Sequence, residues 1–369
     1  MNSAPVLSLP QFDFDVQQLP QQLEGLLSEA RHEVEAIIGR QDNAPDWQSL
    51  MQPLEAVDDR IEQFWSPVSH MNAVMNNEDL RQAYEQCLPM LSRYQSEMGQ
   101  NRPLYEAVKS LSERSDFQQL SEARQEAVGH LLRDFRLSGV HLEEAARKRF
   151  ADIQQRLGEL ATQFSNRLLD ATNAWVCQVT DEEELAGLPD SAKALYRQLA
   201  QQRELEGWVI TLDIPAYLPV MQYAENRDLR EKMHRAFVTR ASDLGHGGES
   251  YDNSEAMVEI LRLRQELAEI LGFSNYAELS LASKMADNTD QVLGFLNDLA
   301  EHTRPVAQRE YEELQAFARA EAGPEPLQAW DIPRYAERLK QQRYDISQEV
   351  LRPYFPLETV LNGMFRIVG

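Results

Sequence analysis

The sequence predicts a mainly α-helical protein that carries one small β-sheet. Apolar residues recur at steps of three and four over most of the 369 residues, which is the spacing of amphipathic helices. Two short runs rich in β-branched and aromatic residues, at about 175–180 and 208–213, interrupt this pattern and are typical of strands. We therefore expect a multi-helix body in which the two strands pair as a small sheet or hairpin.

The composition is that of a soluble globular protein. Hydrophobic residues make up 43% of the chain and charged residues 26%, which does not fit a disordered protein, and the length allows two or three domains. The net charge is −24. Most of this charge is expected on the solvated faces of long helices. It disfavours binding to nucleic acid and docking on anionic lipid, since both depend on Lys and Arg.

The cysteine pattern and the N-terminus predict a cytoplasmic protein. Cys87 and Cys177 are widely separated and form neither a disulfide framework nor a metal-binding spacing. The first residues lack the basic and apolar regions of a secretory signal, and no run approaches the length of a membrane span. We expect a monomer without nucleic-acid or membrane partners.

Residues 1–140 are predicted to form an N-terminal helical region that follows an extended arm. Pro20 suits the first turn of a helix, and Asp46 suits the cap of the next helix, which we expect to break at Ser66–Pro67. Further helices are expected from Asn77, over 104–113 and over 121–137. The apolar face of the first helix consists of Leu23, Leu27, Ala30, Val34 and Ile37.

A second region, residues 141–345, begins with the longest regular element, from about Leu142 to Thr172. At 1.5 Å per residue this helix would be roughly 45 Å long. It could serve as a coiled-coil arm for dimerisation or as a core helix packed on its neighbours. The core helix is favoured, because few charge pairs lie at the positions that flank a coiled-coil seam.

The stretch Glu206–Leu244 combines three predicted elements. A strand from Trp208 is followed by an extended passage, 213–219, whose two prolines disfavour helix. Asn226 can then cap a helix. Earlier, Thr180 with Glu183 has the spacing of a capping box.

The rest of the chain is predicted to be helical around one glycine-rich loop. The loop at 245–250 lacks the strand, helix and Lys-Ser/Thr of a phosphate-binding loop, so it is interpreted as a flexible surface loop. Helices are expected over 254–271, 274–285, 287–322 with a kink at Pro305, and from a cap at Asp331 to Arg343. Residues 346–369 form a third region that ends in an amphipathic stretch.

Four stretches together resemble one known family, the thimet-oligopeptidase family of zinc metallopeptidases, in its oligopeptidase A branch. They are FWSPVSHMN at 64–72, TLDIPAYLPVM at 211–221, LGFSNYA at 271–277 and LRPYFP at 351–356. They occur in the family's order, and the resemblance covers essentially the whole chain. It implies the first part of a two-lobed helical fold whose deep channel admits short unstructured peptides to a zinc ion. In that fold the first half builds channel wall and scaffold.

The zinc-binding and catalytic residues of the family are not expected within this chain. The resemblance implies that the zinc ligands, a His-Glu-x-x-His helix and a further glutamate, lie beyond the matched region. In the family, a zinc-bound water attacks the peptide carbonyl. No two of the seven histidines (His32, His70, His130, His141, His234, His246, His302) are spaced i and i+4. His32-Glu33 begins like the motif but has Ala36 at the second ligand position. His130 and His141 could meet in space, although a structural role is favoured.

We therefore predict no catalytic, cofactor-binding or metal-binding residue in this chain, and expect zinc only for a complete family member. The chain is expected to be the N-terminal part of a peptide-degrading oligopeptidase, truncated early in the catalytic region and inactive alone. The alternative is a non-catalytic helical scaffold that binds peptides or proteins. A missing half supplied by another chain also stays open. Val360, Met364 and Phe365 are expected to be exposed and prone to aggregation.

Overall fold

The computed structural model describes residues 12–40, 45–75 and 77–368. They divide into two compact units. The first unit comprises the described residues up to Asp152 together with Leu267–Met285. The second comprises Ile153–Glu266 and the described residues from Ala286 onward. The predicted N-terminal arm lies largely outside the described residues.

The first unit is built from helices around one apolar core. Its helices are α1 (Leu19–Gly39), α2 (Gln52–Val74), α3 (Glu78–Gly99), α4 (Arg102–Ser112) and α5 (Glu122–Leu137). The face predicted for α1 is confirmed, since all five of its residues are at most 6% exposed. They share a core with α3 through Leu80, Cys87, Leu91 and Tyr94.

Helix α2 is longer than predicted, because it does not break at Ser66–Pro67. Asp46 does cap the segment, because its carboxylate accepts the backbone N–H of Ser49 at 2.8 Å. A short π-helical turn, Trp47–Met51, then leads into α2. The expected break at Ser66–Pro67 is wrong, since α2 continues through Pro67 to Val74. Pro67 and Val68 are buried, so packing of this face compensates for the missing N–H.

The second unit contains the predicted sheet. Helix α6 (Glu144–Ala174) begins in the first unit and leads into strand β1 (Val176–Val179), helix α7 (Asp190–Gln202) and strand β2 (Trp208–Thr211). The strands pair antiparallel, with Val176 opposite Thr211 and Val179 opposite Trp208. The mainly α fold with a small sheet is therefore confirmed. All four residues of β2 are buried.

The passage after β2 is a helix, so the prediction of an extended segment is wrong. Helix α8 spans Ile214–Tyr223, and α9 follows at Arg227–Val238 from the predicted cap Asn226. Pro215 lies in the first turn, where no N–H is needed, and only Pro219 removes a helical hydrogen bond. Burial of Ala216, Val220 and Met221, each at most 1% exposed, favours the helix despite that loss.

The predicted cap at Thr180 is also wrong. The carboxylate of Asp181, one residue later, accepts the backbone N–H of Glu183 at 2.9 Å and starts a 3-10 turn over Glu182–Leu185. Asp and Thr compete for the same role at a helix start, and here the carboxylate has the geometry for it.

Six helices complete the described chain. They are α10 (Ser254–Ile270), α11 (Tyr276–Leu281), α12 (Thr289–Ala320), α13 (Ile332–Tyr344), α14 (Gln348–Leu351) and α15 (Leu357–Val368). α11 is shorter than predicted, and α12 begins two residues later, where Asn288 accepts the backbone N–H of Gln291 at 2.9 Å. Among the described residues, no helix combines the length and apolar character needed to cross a lipid bilayer.

Candidate functional site

All seven histidines lie within the described residues, and six of them are exposed. The Nδ1 of His32 lies 2.9 Å from the carbonyl of Ser28 in its own helix, and the side chain is exposed on the surface of α1. His302 makes the same contact with Asp298 at 2.7 Å. His234 is half-buried, with its ring centroid 5.9 Å from that of Trp330.

The described residues do not offer a zinc site. A protein zinc centre takes three or four His, Cys, Asp or Glu ligands, and residues 12–40, 45–75 and 77–368 contain no group of three such side chains that could hold a metal ion. Cys87 and Cys177 are free thiols, and both are buried. Burial raises the pKa of the Cys87 thiol, which disfavours the thiolate that a metal would need.

The main buried polar group is the Asp331 carboxylate in the second unit. It is 0% exposed and accepts hydrogen bonds from Arg230 at 2.9 Å, from Arg227 at 2.9 Å and from the backbone N–H of Gln328 at 3.1 Å. Burial alone raises the pKa of Asp331, but these three donors outweigh it and hold the pKa below its usual value. Asp331 precedes α13 as predicted, yet its side chain makes no cap bond.

Two arginines near Asp331 donate hydrogen bonds to backbone carbonyls at the C-terminal end of α8. Arg230 is 2% exposed and donates to the carbonyls of Ala224 at 2.8 Å and Glu225 at 3.1 Å. Arg334 of α13 donates to the carbonyls of Tyr223 at 2.8 Å and Ala224 at 3.0 Å. These carbonyls at the C-terminus of α8 have no helical donor, and cations suit that end. The cluster locks α8, α9 and α13 together, which is a structural role.

The same unit carries an apolar groove between α7 and α8, with a volume of about 510 Å³. Leu195, Ile214 and Leu218 line it together with the polar side chains of Ser191 and Gln222. This volume lies within the range of small-molecule pockets in proteins. The sequence did not indicate this groove, because it depends on 214–223 being helical.

Two helices of the second unit, α12 and α15, have apolar side chains that are exposed to solvent. Every residue of α12 from 293 to 313 is exposed. α15 has no buried residue among those described. Val360, Met364 and Phe365, which we predicted to be exposed, are 46%, 46% and 66% exposed. Exposed apolar surface on this scale is typical of a binding face.

Two family models match the chain, one after the other. "Neurolysin/Thimet oligopeptidase, N-terminal domain" matches residues 16–147, and "Peptidase family M3" matches residues 220–369. Oligopeptidase A of Escherichia coli is 50% identical over 343 residues, which are 93% of this chain and 50% of that protein. The chain belongs to peptidase family M3.

More distant relatives extend this result. The M3 relative "Probable cytosolic oligopeptidase A" of Arabidopsis thaliana is 39% identical over 95% of this chain and 49% of its own length. Dipeptidyl carboxypeptidase of Escherichia coli is 27% identical over 332 residues, which are 89% of this chain and 48% of that protein. The chain thus spans about half the length of the curated relatives it matches. The resemblance predicted from the four sequence stretches is confirmed.

Proposed function

We propose that this chain forms the first half of a zinc metallo-oligopeptidase that degrades short peptides. One observation carries the proposal: 93% of the chain aligns with half of oligopeptidase A from Escherichia coli at 50% identity. The described residues supply no group of three metal-binding side chains. In this proposal the chain contributes scaffold and channel wall, and the metal ligands lie in the other half.

The proposed scaffold role fits the buried polar cluster of the second unit. Asp331, Arg230 and Arg334 hold three helices in a fixed arrangement through hydrogen bonds that span about a hundred residues of sequence. A rigid wall excludes folded proteins from a channel and admits flexible peptides. We assign 1–140 to an N-terminal helical region, 141–345 to the channel wall and 346–369 to the start of the catalytic region.

We place this function in the cytoplasm and expect a monomer. Both cysteines are buried and unpaired, which suits a reducing compartment. The net charge of −24 opposes non-specific contact with nucleic acid or anionic membranes.

The test is hydrolysis of an internally quenched peptide of about ten residues by the purified chain, with added zinc and again with a chelator. Complete oligopeptidase A of Escherichia coli is the positive control. We expect the chain to release fluorophore at the rate of buffer alone, with no effect of the chelator. Chelator-sensitive turnover that stays with the 42.4 kDa species would contradict the proposal.

A second candidate, peptide binding without catalysis, is favoured by the apolar groove between α7 and α8. A peptide of the same sequence, labelled with a single dye and no quencher, distinguishes the two functions by fluorescence anisotropy. Saturable binding that Leu218→Glu weakens at least tenfold, and Ser250→Glu does not, would support a binding scaffold. Leu218 lines the groove and is 42% exposed, so its replacement does not disturb the core.

A further inference from the structure

The apolar stripe of α12 continues beyond the part of the helix that is covered. Near its C-terminus Leu314 and Ala318 are 7% and 0% exposed and pack on Leu327 and Tyr335. Steps of three and four residues carry the same stripe toward the N-terminus. We call the following part the open stripe: Phe295, Leu296, Leu299 and Val306, which are 68%, 51%, 50% and 43% exposed.

Helix α15 has a face of the same kind. Leu357, Val360, Leu361 and Met364 recur at steps of three and four and are 73%, 46%, 40% and 46% exposed. We call these four residues the open face. Polar residues, among them Thr359 and Arg366, occupy the opposite side of the helix. An amphipathic helix of this pattern normally buries its apolar side against another element.

Two arguments bear on which molecule covers these surfaces. First, the open stripe and the open face both lie in residues 220–369, which match the peptidase family M3 model, and the relatives that match are about twice as long as this chain. A second copy of the chain is a poor occupant, because two molecules of net charge −24 repel each other. A short peptide could not cover two helices at once.

We propose that the open stripe and the open face bind the polypeptide that corresponds to the other half of an M3 oligopeptidase. The inference rests on the proposed function, and it names the partner and the surface. Contact with that polypeptide would also stabilise α12, because a helix exposed over twenty residues is marginal in water without packing.

The first experiment is co-expression of the full, tagged chain with the untagged second half of Escherichia coli oligopeptidase A. We expect the two to co-purify as an equimolar complex. Leu299→Glu in the open stripe or Met364→Glu in the open face should reduce the recovered partner at least tenfold. Gln308→Glu and Thr359→Glu, on the opposite sides of the same helices, should leave recovery unchanged.

The second experiment locates the contact without relying on affinity. Both natural cysteines are buried, so Leu299→Cys adds a reactive thiol to the chain, and Gln308→Cys is the matched control. Maleimide labelling, followed site by site by mass spectrometry, is compared for the chain alone and for the same chain joined to the second half in one polypeptide. We expect labelling to slow at least tenfold at position 299 and not at 308.

Equal labelling at both positions in the joined protein would overturn the proposal, as would self-association of the chain through the same surfaces. Neither readout requires hydrolysis. A complex with the expected footprint but no peptidase activity would therefore contradict the proposed function and leave the docking surface standing. Peptidase activity of the chain alone would likewise contradict only the proposed function.

Discussion

At the scale of single residues, Asp331 and Arg230 form a buried ion pair in the second unit, with 2.9 Å between Asp331 Oδ1 and a guanidinium nitrogen. The carboxylate of Asp331 and the guanidinium of Arg230 are almost fully removed from water. A buried pair of this kind contributes little by comparison with apolar packing, but removing one partner leaves the other charge buried and uncompensated. The cluster therefore makes this unit sensitive to changes at either residue.

We predict that Asp331→Ala destabilises the protein by about 3–5 kcal/mol, because Arg230 then remains buried without its counter-ion. Urea denaturation measures the change. Glu325→Ala is the matched control, since Glu325 pairs with Arg319 on the surface, where both side chains are 64% exposed. The control should leave the midpoint essentially unchanged. Equal effects of the two substitutions would contradict the prediction.

The same carboxylate adds a dependence on pH. The pKa of Asp331 is lowered in the folded protein, whereas an unfolded Asp has a pKa of about 3.9. Its stabilising contribution is therefore complete above about pH 4 and is lost as the pH falls through the folded pKa. The difference in unfolding free energy between the wild type and Asp331→Asn should narrow on acidification below about pH 4.

Glu204 offers a stabilising change at the end of α7. It has a φ of 56°, and the backbone N–H groups of Glu204 and Leu205 donate to the carbonyls of Gln201 and Ala200 at 3.1 and 2.9 Å, the Schellman pattern. A left-handed conformation costs a non-glycine residue roughly 1–2 kcal/mol. Glu204→Gly should raise the free energy of unfolding by about 1 kcal/mol, while Gln198→Gly, at an exposed position inside α7, should lower it by about as much.

At the scale of elements, two of the wrong predictions concern prolines: the break expected at Pro67 and the extended passage that contains Pro219. Pro67, Pro219 and Pro305 all lie inside helices, although each lacks the N–H that the helix uses. Pro67 is buried and Pro219 lies beside buried residues, so tertiary packing outweighs local preference there. Pro305 is exposed and has no such compensation.

Replacing Pro305 should therefore stabilise α12 locally. Pro305→Ala restores one helical hydrogen bond and relieves about 3 kcal/mol of propensity cost. Hydrogen exchange of the backbone amides at 295–304 should slow by about 100-fold in the chain alone. Gln308→Ala, one turn away and also exposed, is the control and should leave these rates unchanged. A similar slowing with both variants would mean that the proline does not limit the helix.

At the scale of the whole molecule, the uncovered helices set the solution behaviour. The net charge of −24 favours solubility, while the open stripe and the open face present apolar side chains to water. We predict that Leu299→Glu lowers light scattering of the concentrated chain and its binding of a hydrophobic dye, whereas Gln308→Glu changes neither. An increase in scattering with Leu299→Glu would indicate that this residue supports the fold.

The sequence alone was enough to predict the mainly α fold, the positions of both strands, the family and two of the helix caps, Asp46 and Asn226, which accept backbone N–H groups as expected. These features depend on residues close together in the chain. Three features became visible only in the folded chain: α2 runs through Pro67, residues 214–223 are helical, and Asp331 binds arginines about a hundred residues away. The groove and the open stripe also depend on the tertiary structure. Burial and ion pairing join residues that are distant in sequence, and their free energies exceed the differences in local helix propensity.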